Sequence, residues 1–169
     1  PGVGTTVTGP LEGVRAAGPP LSRLALLLEE ADDYFARIAN LLEAECRRRD
    51  VALELYCHHR DVTLLHDQFI RASRDEGALV AIVPVGRDYH WLGAHTAAPR
   101  TIILDGTVEG VAAPQIVSDD TSGISGLIRY LVNMRHRVIA HIGAESKSSG
   151  RARKQAYTEA LQHVGLPPD

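Results

Sequence analysis

From Leu21 onward, short apolar runs alternate with longer stretches in which apolar residues recur every three or four positions. The runs Arg23–Leu28, Val51–Cys57, Ala78–Val83, Thr101–Leu104, Gln115–Val117 and Val138–Ile142 are nearly continuous in apolar character, as strands covered on both faces should be. Between them lie helical stripes. The first is Tyr34, Phe35, Ile38, Leu41, Leu42 and Cys46, and the second is Val62, Leu65, Phe69 and Ala72. Ile124, Leu127, Ile128, Leu131 and Val132 form a third, and Ala156, Tyr157, Ala160, Leu161 and Val164 a fourth, stopped by Gly165 and Pro167. A shorter helix is expected after Asp88, around Trp91 and Leu92. Asp32 and Asp33 open the first stripe and Arg47 to Arg49 close it, as the helix dipole favours. Alternating strands and helices predict an α/β fold, an open doubly wound parallel sheet with helices on both faces. The first twenty residues hold five of the fifteen glycines and four of the nine prolines, and read as turn and linker rather than core.

Composition narrows the function classes. With 169 residues and 44% apolar content the chain can bury a core without a disulfide or metal staple. A net charge of −3 argues against gripping nucleic acid by bulk charge. Cys46 and Cys57 lie in helical and strand-like runs, as reduced thiols in a cytoplasmic protein would. The longest apolar run, Ala78 to Val85, is too short to span a bilayer, so no membrane partner is expected. The start at Pro1, with no initiator Met and no leader pattern, suggests a piece of something longer.

In a sheet of this kind ligands bind beyond the carboxyl ends of the strands. That directs attention to residues 29–34, 58–61, 84–88, 105–110, 118–122 and 143–153, which are rich in Asp, Ser, Arg, Lys and His. Carboxylates and Arg forks suit a small hydroxylated ligand, and Tyr34 and Phe35 could supply flat walls. His58, Arg60 and Asp88 stand on suitable loops, although no motif singles them out. Catalytic signatures are missing. The glycine-rich dinucleotide and nucleoside-triphosphate loops do not occur, nor does a G-x-S-x-G elbow. No Cys/His set has metal-ligand spacing, and neither cofactor nor metal is expected. Asp119 and Asp120 fit a cap for the helix beginning near Ser122 better than a magnesium pair.

A longer pattern runs through Ile116-Val117-Ser118-Asp119-Asp120-Thr121-Ser122-Gly123, Tyr130-Leu131, His136-Arg137-Val138-Ile139-Ala140-His141-Ile142-Gly143 and Arg153-x-x-Ala156-Tyr157-x-x-Ala160-Leu161. In order and spacing it resembles the effector-binding domain of the LacI family of transcriptional regulators, related to periplasmic sugar-binding proteins, from about Leu24 to Asp169. Asp33-Tyr34-Phe35 and Glu76-Gly77 resemble that family's aromatic pair and its Asp-Gly before the third strand. Two positions depart from the pattern. Arg135 stands where the family has a Gly past a helix end, and Ala156 replaces the Gly of the Arg-x-x-Gly-Tyr motif. Pro1-Gly2-Val3-Gly4-Thr5-Thr6-Val7 is similar to the last wing strand of a GntR-type winged helix, the combination found in arabinose-repressor-like regulators.

This resemblance implies a sensor rather than an enzyme. Residues 1–20 would be the end of a wing plus a linker, and 21–169 an effector-binding domain in which the chain supplies the amino-terminal subdomain and half the cleft. Tyr34 and Phe35 would line that cleft, Asp105 would accept sugar hydroxyls, and Arg153, with Lys147 before it, would contact the effector. Implied partners are a sugar-like effector, operator DNA reached through a winged helix mostly outside this chain, and a second copy in a homodimer. A solute-binding protein of a transporter and a small flavodoxin-like enzyme are the readings from other classes.

Overall fold

A computed structural model of the chain describes residues 5–8, 19–85, 89, 91–92 and 100–168. They fall into two compact units, Val7–Ile116 and Val117–Asp169, the latter with Pro1–Thr6.

The first unit is built on strands β1 (Thr5–Thr8), β2 (Arg23–Leu28), β3 (Ala52–Cys57), β4 (Ala78–Ile82), β5 (Thr101–Leu104) and β6 (Gln115–Ser118), with β1 and β6 each running across the boundary. Helix α1 (Asp33–Arg48) connects β2 to β3, and α2 (Val62–Ala72) connects β3 to β4. The strand order is β1-β6-β5-β4-β2-β3, and β2 to β6 pair in parallel. The chain therefore steps outward from β2 to β3, then crosses back over β2 to β4. The point of reversal, between β2 and β4, is where an open sheet leaves a crevice.

Side-chain alternation along β2 explains why both faces are covered. Leu24, Leu26 and Leu28 meet Phe35, Ala39 and Cys46 of α1, with Ala81 and Val83 beside them. Ala25 and Leu27 point the other way, to Leu65, Phe69 and Ala72 of α2, with Val80, Ile82 and Ile103. Both helices start on an aspartate whose carboxylate takes up orphan amides. Asp32 accepts from the N–H of Phe35 at 2.9 Å, and Asp61 from those of Thr63 and Leu64 at 2.8 and 3.0 Å. The expected elements of this unit are present within a residue or two at their ends, and the doubly wound α/β sheet is the observed fold. Trp91 and Leu92 are helical, whereas Asp88 lies outside the described residues. Cys46 and Cys57 are free thiols, Cys46 buried and Cys57 half-buried.

The second unit packs helix α3 (Asp120–Asn133) on helix α4 (Ser148–His163) through Ile128, Tyr157, Ala160 and Leu161. Gly150, in the first turn of α4, permits a close backbone approach. A Cβ there would lie 1.7 Å from the carbonyl oxygen of Ala144, so the loop can fold onto the first turn of α4 only without a side chain. Ala156, the second departure from the family pattern, is buried without disturbing α4.

One expected element is corrected here: Val138–Ile142 forms no strand. Ile139 packs inward and its carbonyl accepts from the Tyr157 hydroxyl at 2.7 Å, whereas Val138 is 82% exposed and Ile142 fully exposed. The apolar sequence suits a strand, but a strand is completed by hydrogen bonds to a neighbouring strand, and around this segment the unit presents helices.

Candidate functional site

The carboxyl edge of the sheet brings together residues distant in sequence. Tyr34, in the first turn of α1 and 51% exposed, directs its hydroxyl to Asp105, donating to Oδ1 at 3.2 Å. Asp105 follows β5 directly, and its N–H donates to the carbonyl of Ile116 at 2.9 Å. Its φ of 59° is a left-handed conformation that non-glycine residues adopt at a cost, and such strain gathers at binding sites. Phe35 is placed differently. It is buried among the α1-facing core residues, and its ring meets that of Tyr34 edge-on at 5.0 Å between centroids. It thus orients Tyr34, whose half-open ring is the aromatic surface offered at this edge.

Beside them the ends of β2 and β3 hold a group that no sequence motif marks. His58 is completely buried at the end of β3. Its Nε2 lies 3.2 Å from the carbonyl oxygen of Val83, which only accepts, so Nε2 carries the hydrogen. Its Nδ1 accepts the N–H of Arg60 at 3.3 Å, so that nitrogen is bare. Burial holds the imidazole below the ordinary histidine pKa, against the favourable pull of the Val83 carbonyl and Glu29. The next two residues, His59 and Arg60, both have left-handed backbones, with φ of 49° and 64°. Arg60 Nη1 reaches Oε1 of the buried Glu29, at the end of β2, at 3.3 Å. The sequence did carry one sign of this cluster: a histidine pair and an arginine squeezed between an apolar strand and the Asp61 cap.

In the second unit, Asp119 caps α3, accepting from Ser122 N–H at 3.0 Å, and this bond lowers the pKa of its carboxyl. Asp120 instead accepts from Nε of Arg153 at 2.7 Å. Arg153 is half-exposed, and among the described residues neither of its Nη groups has a partner, so the outer edge of the fork can bind an acceptor. Lys147 sits at the N-cap position of α4, exposed. Lys154, one residue beyond Arg153, pairs with Glu145, and this pairing lowers the pKa of the Glu145 carboxyl. The structure thus joins Tyr34 to Asp105 and Arg153 to Asp120, each pair within its own unit. Among the described residues no cluster of three or more His, Cys, Asp or Glu side chains could hold a metal ion.

The fold has solved counterparts. The LacI family regulator of Lactobacillus casei, solved with bound glucose, superposes with a TM-score of 0.68 at 18% identity, over 88% of this chain and 57% of that one. The trehalose repressor of Escherichia coli gives 0.69 at 18%, over 88% and 58%. A periplasmic binding protein/LacI transcriptional regulator of Alkaliphilus metalliredigens, in complex with D-xylulofuranose, gives 0.72 at 14%, over 88% and 55%. No family model matches the sequence, and no curated protein does. The fold is that of the effector-binding domain of LacI-type regulators, and the chain spans a little over half the length of these structures.

Proposed function

We propose that this chain is the effector-sensing part of a bacterial transcriptional regulator, binding a small sugar-like ligand that controls DNA binding allosterically. The observation that carries this reading is the Tyr34–Asp105 pair, an aromatic face and a carboxylate held together over the carboxyl edge of the sheet. A sugar presents these same needs, ring C–H groups that pack on an aromatic face and hydroxyls that donate to a carboxylate. Solved neighbours of the same fold that carry glucose and D-xylulofuranose support it. Arg153 and Lys147, in the second unit, are contacts that the family resemblance implies, and the open side of the Arg153 guanidinium suits a polar acceptor. Control then requires the effector to bind the DNA-competent and released states with different affinity. Operator contact through a GntR-type winged helix, of which residues 1–7 would be the last wing strand, and homodimerisation belong to the same proposal.

A thermal-shift screen of the full-length regulator against pentoses, hexoses, sugar phosphates and purines tests it. A ligand at a hundred times its Kd stabilises by about 2.7 kcal/mol, readily seen as a rise in Tm. The expected result is a rise with one sugar class that Asp105→Ala diminishes. A full set of flat responses would overturn the sensing assignment.

A further inference from the structure

The buried imidazole at the end of β3 has no part in the proposed ligand contacts, yet its surroundings define what it does. Both of its nitrogens are committed, Nε2 as donor to the Val83 carbonyl and Nδ1 as acceptor of the Arg60 amide. The two partners are backbone groups whose roles cannot be exchanged, so only one neutral tautomer fits. The loop it holds is unfavourable by itself, with left-handed backbone at His59 and again at Arg60. Further bonds tie the loop to the end of β2: the His58 N–H donates to the Leu28 carbonyl and the His59 N–H to that of Glu29, both at 2.9 Å.

We propose that His58, as its neutral Nε2–H tautomer, is the positioning residue of the candidate binding edge, clasping residues 58–61 to the end of β4 and thereby holding Arg60 against Glu29. The inference rests on the reading that this edge receives the effector, because that reading gives the placement of Arg60 its consequence. Protonation would set an Nδ1–H against the Arg60 N–H, two donors facing one another at 3.3 Å. The clasp would open there, and the left-handed pair would relax. The charged and titratable groups facing the ring are Glu29 at the end of β2 and His59, Arg60 and Asp61 on its own loop; the described end of β4 presents backbone. Glu29 favours the imidazolium and burial opposes it, with burial the larger effect.

The test needs no ligand, so its result is independent of whether a sugar binds. The imidazole nitrogens of His58 and the amide exchange of Arg60 are followed by NMR in this chain from pH 7.5 to 5.0. The expected result is an Nε2–H tautomer at neutral pH and at least a tenfold loss of Arg60 amide protection as His58 protonates, ahead of the loss of protection in β2 and β4. His58→Gln, which keeps an acceptor and a donor on one side chain, should hold the Arg60 amide at a protection that no longer varies with pH. An Nδ1–H tautomer overturns the proposal, as does Arg60 protection that ignores the state of His58, or a His58 that stays neutral until the whole sheet opens. Should His58→Gln fail to fold, the tautomer and the titration of the unaltered chain decide.

Discussion

At the scale of single residues, the candidate binding edge depends on groups whose partners lie far along the chain. Asp105 is shaped by its left-handed backbone and oriented by Tyr34, 71 positions away. On the proposed function, Asp105→Asn should weaken ligand binding about tenfold to a hundredfold, since hydrogen bonds to a charged acceptor contribute roughly 1.5–3 kcal/mol; calorimetric titration of the full-length protein measures this. On the same proposal, Arg153→Ala should blunt the response to ligand, read as ligand-dependent release of DNA by the full-length protein, and an unchanged response would remove Arg153 from the proposed site. Tyr34, Asp105 and Arg153 are the candidates that the family resemblance implies, and the structure bonds Tyr34 to Asp105 and Arg153 to Asp120. The contacts among Glu29, Arg60 and His58 were not legible in the sequence, because they depend on successive left-handed backbones that no hydrophobic period encodes. Phe35 shows the converse. It belongs to the apolar stripe of α1, and the core takes the ring that the aromatic pair suggested for a ligand.

At the scale of elements, strands β2 to β6 were readable as short continuous apolar runs, and helices α1 and α2 as periodic stripes opened by aspartate caps. Asp61→Ala should cost about 1 kcal/mol, since the two amides it satisfies would be left to water; chemical denaturation measures the loss. The helix ends carry a second lesson. Helices α1, α3 and α4 all close with the same paired bonds, an amide two past the last cap reaching back five residues, as Val51 to Cys46, His136 to Leu131 and Leu166 to Leu161 do. The left-handed residue in each is Asp50, Arg135 and Gly165, with φ of 56°, 69° and 71°. Only the last suits the conformation freely. The sequence pattern pointed to Arg135 as the misfit, and its backbone is in the conformation the missing glycine would have favoured. Arg135→Gly should therefore stabilise the chain by about 1 kcal/mol, seen as a rise of a few degrees in Tm. The run from Val138 to Ile142 was misread for a different reason. A continuous apolar run reports which side chains could be buried, whereas a strand also requires backbone partners, which belong to the fold as a whole.

For the whole molecule, pH dependence follows from the buried imidazole. Because the folded state holds His58 below its ordinary pKa, the unfolded chain binds the extra proton first as pH falls. This contribution to stability is complete above the ordinary value of about 6.5 and declines as pH drops below it. Tm should fall between pH 7 and pH 5.5, and His58→Gln should flatten that part of the curve. Net charge has a separate consequence. At −3 the chain lacks the positive field that non-specific DNA binding requires, and a mobility-shift assay with duplex DNA at low salt should show no retardation by these 169 residues. Among the described residues no helix is long and apolar enough to cross a membrane.

The bare side chains of Val138 and Ile142 bear on colloidal behaviour. They leave two branched aliphatic groups in water on a segment outside the helices and strands, while Leu127, Tyr130 and Met134 are also exposed on and just beyond α3. Apolar surface of this kind adsorbs fluorescent hydrophobic dyes and makes attraction between molecules rise with concentration. The chain should show dye fluorescence well above that of a closed globular protein and a negative second virial coefficient near its isoelectric pH of about 6.3, and Val138→Lys with Ile142→Lys should reverse both.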